Sequence, residues 1–251
     1  MNTEGQLTKK RFTELAARAE NGGYFTFTSF LGLYEQSLFH EVRTSLRTGY
    51  TVYGGCDGAE RVMIRFGDVD MLDYAPEFPI VTLLIKPRSE KFAETLSHRD
   101  YLGALMNLGI ERECLGDIIL CGKSAYLFAT EEIAPFIISS LERVRNTDVT
   151  AEVSVLPELD RLFKVENRQI QVSSERLDAV IARAFHLSRE DAQSYFKRGL
   201  VFVDGRLTES ASYTPKPDEK VSVRTLGRFI YRGVCGTSRK GKLNVTIEVY
   251  V

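Results

Sequence analysis

Residues 173–207 read SSERLDAVIARAFHLSREDAQSYFKRGLVFVDGRL, and the periodicity of this stretch decides the fold around it. Ser173-Ser174 can cap a helix running through Phe185, in which Leu177, Val180, Ile181 and Ala184 fall at i, i+3, i+4 and i+7 and make a buried stripe. Arg176 and Arg183, seven apart, share another face. After a turn at His186-Leu187, Ser188 caps a second helix, with Asp191 three residues on in the manner of a capping box. That helix buries Ala192, Tyr195 and Phe196, and Gly199 ends it where a positive φ is needed. Its exposed side carries Arg189, Gln193 and Lys197 at i, i+4 and i+8, with Arg198 beside them. Asp204-Gly205 is a type I′ turn pair, so Leu200 to Leu207 reads as a short hairpin. Asp218-Glu219-Lys220 then turns into the strand Val221-Ser222-Val223.

A helix-turn-helix with such a face suits RNA. Arg and Lys neutralise phosphates and release counterions, and the guanidinium can also fork onto phosphate or stack on a base. The helix start at Ser188 adds backbone N–H groups for one more phosphate. The charge distribution agrees. From Arg161 to Val251 there are 17 Lys+Arg against 10 Asp+Glu, a charge of +7, which leaves −8 on residues 1–160 of a chain with net charge −1. One basic end on an acidic body points to a polyanion at that end.

Working outward, the fold class is α+β with three domains: residues 1–75, residues 76–158 and, after a connector over 159–172, residues 173–251. In the first, Leu7 to Glu20 reads as a helix stopped by Asn21-Gly22-Gly23, and Phe30 to Leu46 continues the helical period. The Gly-rich turn 54–58 separates the strand-like Tyr50–Tyr53 and Arg61–Phe66, and Pro76 and Pro79 mark the boundary. In the second, strands at 78–85, 118–121, 124–129 and 149–156 alternate with helices at 91–108 and 133–144. That is the β-α-β-β-α-β order of a ferredoxin-like domain. The architecture includes the common single-strand RNA module, which stacks bases on aromatics of its central strands. Here only Tyr126 and Phe128 are available, and core packing suits them better.

At these residues a family resemblance becomes visible. Arg176-Leu177-Asp178, Leu187-Ser188-Arg189, Gln193, Lys197-x-Gly199 and Val201-x-Val203-Asp204-Gly205 resemble the alpha-L RNA-binding domain of small-subunit ribosomal protein four, pseudouridine synthases and tyrosyl-tRNA synthetases. The resemblance implies that Arg176, Arg189 and Lys197 meet RNA. Glu190 and Asp191 set acid beside the key Arg, and Asp204 stands where Asn is common, which implies a modest affinity. Over nearly the whole chain, Tyr53-Gly54-Gly55, Ala59-Glu60-Arg61, the run His98 to Ile110, and Arg112 with Leu115-Gly116-Asp117-Ile118 resemble the YlmH family of Gram-positive bacteria and cyanobacteria. This resemblance implies a role in ribosome-associated quality control, with rRNA and tRNA on the large subunit as partners. The family's genes lie among cell-division genes, hence an older cell-division label.

The expected contacts with RNA are therefore Arg176, Arg183, Ser188, Arg189, Gln193, Lys197 and Arg198. Catalysis, a metal, a cofactor and a small-molecule substrate are not expected. His98-Arg99-Asp100 is not a kinase catalytic loop, because Asn107 lies seven rather than five residues after the Asp and no Gly-rich loop or Asp-Phe-Gly accompanies it. Gly54-Gly55-x-x-Gly58 lacks the Gly-Lys-Ser/Thr of a phosphate loop. Glu60-Arg61 and Arg112-Glu113 read as surface or interdomain ion pairs, and Asp117 as a turn residue. The four cysteines form no CxxC pair and read as reduced, mostly buried small hydrophobes of a cytoplasmic protein; no run approaches a membrane span and no secretory signal is seen. The −8 of the first two domains suits docking of a protein partner or a basic tail. Two other readings stay open: an RNA-modifying enzyme using Asp117, and an interaction factor for division.

Overall fold

The computed structural model describes residues 3–69, 74–157 and 165–250. They fall into two compact units, Met1–Leu162 and Phe163–Val251, so the first two expected domains share one unit. Among the described residues no helix is long and apolar enough to cross a membrane.

The first unit opens with α1 (Thr3–Gly22), β1 (Thr26–Phe27), α2 (Leu33–Val42), β2 (Tyr50–Tyr53) and β3 (Met63–Phe66), the strands ordered β1-β3-β2. Phe12, Ala16 and Ala19 of α1 and Leu38 and Phe39 of α2 pack on Ile64 and Phe66. The turn expected over 54–58 joins antiparallel β2 and β3, with Gly55 and Gly58 at positive φ. The short β1 was not expected; a two-residue strand carries no period to read.

The same unit continues with β4 (Ile80–Pro87), α3 (His98–Asn107), β5 (Leu115–Cys121), β6 (Ser124–Thr130), α4 (Ala134–Ser140), β7 (Arg143–Val144) and β8 (Thr147–Val153). All neighbours are antiparallel, in the order β5-β6-β4-β8-β7. Leu83, Ile85, Ala125, Leu127, Ala129, Val149 and Ala151 alternate onto one face and meet Tyr101, Leu105, Ala134 and Ile137 from the helices. The helix expected from Lys91 starts only at His98. Ser97 caps it, and the Asp100 carboxylate accepts from both the Ser97 backbone N–H and the Ser97 hydroxyl. The second expected helix stops at Ser140, and Arg143-Val144 turns back as a strand.

The opposite face of that sheet is closed at Phe128, whereas Tyr126 is half-buried. Phe128 is fully buried, and a Cβ on Gly55 would sit 2.4 Å from its ring. Phe30 closes over Gly116 in the same way. Around this contact Asp117 accepts from the backbone N–H of Glu60 (2.6 Å) and of Arg61 (3.1 Å). The Arg61 guanidinium donates to the carbonyls of Leu115, Phe30 and Arg112, and Arg112 donates to those of Leu115 and Gly116. Asp117 is thus a strand residue at a register shift in β5, not the expected turn residue. Burial, helped by the nearby Arg61 charge, brings the Arg112 pKa down to about 10. Burial likewise lowers the His98 pKa, Arg112 lowers it further, and Asp117 opposes. Gly55→Ala should cost the unit about 2 kcal/mol, because Gly55 has φ +100° and a methyl there overlaps Phe128. Thermal melting of the full chain reads this directly, and an unchanged transition would contradict the tight contact.

The second unit has β9 (Val165–Val172), α5 (Leu177–Ala184), α6 (Arg189–Lys197), β10 (Val201–Val203), β11 (Arg206–Leu207), β12 (Lys220–Val223), β13 (Gly227–Thr237) and β14 (Leu243–Tyr250). The sheet order is β11-β10-β12-β13-β14-β9. Residues 165–172, expected within a connector, pair along their whole length with β14. Leu177, Val180, Ile181, Ala184, Ala192 and Phe196 of the helices meet Val201, Val221, Phe229, Val245 and Ile247 of the sheet. Asp204 and Gly205 both take positive φ, as the expected turn requires.

Candidate nucleic-acid interface

The first helix of the pair begins at Leu177, later than Ser173-Ser174 suggest. Its first-turn amides find other acceptors: Leu177 N–H donates to the Tyr213 carbonyl and Asp178 N–H to that of Ala211. This docking drives the Asp178 side chain inward, where it is completely buried. A buried carboxylate needs compensation. Arg176 supplies it through Nε (3.1 Å) and Nη2 (3.0 Å), Arg189 through Nε (3.2 Å) and Nη2 (3.4 Å), and Gln193 through Nε2 (2.8 Å).

Three of the expected site residues, from two elements, are thereby brought onto one carboxylate. The Arg176 and Arg189 side chains keep 40% and 48% of their surface in solvent, so each guanidinium is fixed on its inner edge and exposed on its outer one. Two cations held over one anion leave a net positive patch. Burial pushes the Asp178 carboxyl up in pKa, but the hydrogen bonds from Arg176, Gln193 and Arg189 together outweigh it and hold the group well below the ordinary carboxylate range. The charge on Asp178 therefore persists at every physiological pH.

The remaining expected residues divide. Lys197 is exposed one turn beyond Gln193, and Arg198 lies over the Tyr195 ring at 5.5 Å. Arg183 is exposed on α5 outside the Asp178 cluster. Ser188 caps α6: its hydroxyl accepts from the Asp191 N–H and donates to the Asp191 carboxylate. Ser188 and Gln193 thus work on the protein side of the surface, as cap and as brace. Asp178 itself was missed as a functional residue. The available signal was an acid two residues after Arg176 that sits among the apolar positions of a helix.

Comparison with known proteins places a family match in the first unit, outside the helix pair. Residues 75–158 match the family model described as "Putative RNA-binding domain in YlmH". The chain is 31% identical over 222 residues to "Ribosome-associated protein quality control protein P2" of Bacillus subtilis (strain 168), covering 88% of this chain and 86% of that one. Among solved structures it is similar to "Cell division protein ylmH from Streptococcus pneumoniae", with TM-score 0.50 and 22% identity over 64% of this chain and 96% of that one.

Proposed function

Because the chain belongs to the YlmH family, we propose that it is a non-catalytic RNA-binding protein acting on the ribosome. In this reading it contacts rRNA and tRNA on the large subunit during quality control of stalled translation in the cytoplasm. The observation that carries it is the Asp178 carboxylate, which holds Arg176, Arg189 and Gln193 in one fixed surface. Fixed cations lose less entropy on binding than free ones, so a small number suffices for a selective contact.

We read the first unit as an N-terminal α+β domain followed by a ferredoxin-like one, and the second as an alpha-L domain extended by β9 and the β13–β14 hairpin. Phe128 lies under Gly55, which argues against base stacking by that aromatic; the C-terminal surface is the better RNA contact. The backbone amides held by Asp117 support a structural role for it over an enzymatic one. The name of the Bacillus subtilis relative supports the ribosomal setting.

Five cations, Arg176, Arg183, Arg189, Lys197 and Arg198, would neutralise about five phosphates and give a log–log salt slope of about −4. Titration of ribosomal RNA with the full chain at several salt concentrations measures the slope. An affinity that is flat with salt overturns the reading.

A further inference from the structure

The second unit contains a groove that the helix pair alone does not make. It has a volume of about 290 Å³, at the small end of ligand pockets. Gln171 near the end of β9, Arg183 of α5, Arg189 of α6 and Lys242 line it. Leu187, half-buried, adds apolar surface. All the charged groups that line it are cations. Among the described residues neither Arg183 nor Lys242 has an ion-pair partner, whereas Arg189 is turned by Asp178. Of the two nearby acids on α6, neither Glu190 nor Asp191 lines the groove, and Asp191 is engaged by Ser188.

Lys242 is held in place by sheet register. Leu243 pairs with Val172, the last residue of β9, which brings Lys242 beside Ser173. The turn before it is closed by Ser238 N–H donating to the Lys242 carbonyl and by Lys242 N–H donating to the Ser238 hydroxyl. The hairpin therefore adds to the groove a cation from outside residues 173–207.

We propose that this groove takes one nucleotide of the bound RNA. Its phosphate sits among Arg183, Arg189 and Lys242, and its sugar or base lies against Leu187. The proposal rests on the RNA-binding reading above and extends that surface to the β13–β14 hairpin. Three cations lining one groove, with no carboxylate in the lining, suit a phosphate, and the adjoining apolar surface suits the rest of a nucleotide.

The test uses the full chain with two probes, purified large ribosomal subunits and protein-free rRNA extracted from them. Lys242→Ala should weaken binding to both by roughly threefold to tenfold and take about 1 off the salt slope. Lys242→Arg should bind like wild type, and so should Lys240→Ala, which removes a charge from the same turn outside the groove. Equal losses from Lys240→Ala and Lys242→Ala would mean general electrostatics and overturn the groove. Loss on subunits with none on protein-free rRNA would assign the groove to an acidic protein and also overturn it. If Lys242→Ala binds like wild type while the wild-type slope stays near −4, the groove alone falls. If wild type shows no salt-dependent binding, the RNA reading falls and the groove with it.

Discussion

Asp178→Asn is expected to destabilise the C-terminal unit by about 3 kcal/mol and to weaken its RNA binding about tenfold. The carboxylate is wholly buried and receives five hydrogen bonds from Arg176, Arg189 and Gln193. An asparagine of the same shape offers one oxygen and turns an NH₂ toward donors. For a unit of this size the loss corresponds to a drop in melting temperature of roughly 10–20 °C. The pH dependence has a definite sign. The folded pKa of Asp178 is depressed, so its stabilisation is present above the unfolded value near ~4 and is lost as pH falls through the folded one. The gap between wild type and Asp178→Asn should therefore be full at pH 7 and shrink on acidification below about pH 4. Calorimetry of the full chain at both pH values checks it.

The RNA arm of that experiment separates two physical accounts. Removing an acid makes the surface more positive, and simple charge counting predicts tighter binding. Pre-organisation predicts weaker binding, because Arg176 and Arg189 lose the anchor that fixes their guanidinium planes. A gain in affinity would mean that Asp178 only subtracts charge.

The second large effect is expected from Arg61→Ala. The Arg61 guanidinium donates to the carbonyls of Leu115 (2.8 Å), Phe30 (3.0 Å) and Arg112 (3.0 Å), tying residues before and after the Pro76–Pro79 segment together. Burial lowers its pKa, and Glu35 and Asp117 partly restore it, so the charge sits in a compensated site. Deleting it removes three hydrogen bonds from a half-buried seam, about 3 kcal/mol in total, although the Leu115 and Arg112 carbonyls each keep another donor. Arg61→Lys should not rescue, since one ammonium cannot reproduce the planar fork. The expected readouts are a lower first-unit melting transition and faster hydrogen exchange at the Glu60 and Arg61 amides, which Asp117 now protects. Unchanged exchange and melting would show that the seam does not depend on Arg61.

What was legible in the sequence was local. The helical stripe Leu177, Val180, Ile181 and Ala184, the Ser188 cap and the Asp204-Gly205 turn are short-range signals, and each holds. β9 was not legible. Val165-Glu166-Asn167-Arg168-Gln169-Ile170-Gln171-Val172 is largely polar because it is an edge strand, and its conformation comes from β14, some eighty residues on. The start of α3 was misread because Lys91 to Leu96 suits a helix, whereas the capping box at Ser97 and Asp100 sets the boundary. The roles of Asp178 and Asp117 were hidden for one shared reason. Apart from Arg176, two residues from Asp178, their donors come from 11 and 15 residues away in one case and from 56 and 57 in the other, which no periodicity records. Lys242 was missed with β9, since only their pairing brings it to the helix pair.

The central claim is that the braced cations of the helix pair carry this protein onto ribosomal RNA. Its most direct test is co-sedimentation of the full chain with purified large ribosomal subunits at ~0.15 M salt, wild type against Arg189→Ala combined with Lys197→Ala. The account predicts that wild type pellets with the subunits and that the double variant, checked to be folded by its melting transition, stays in the supernatant. A folded double variant that pellets as fully as wild type would contradict it.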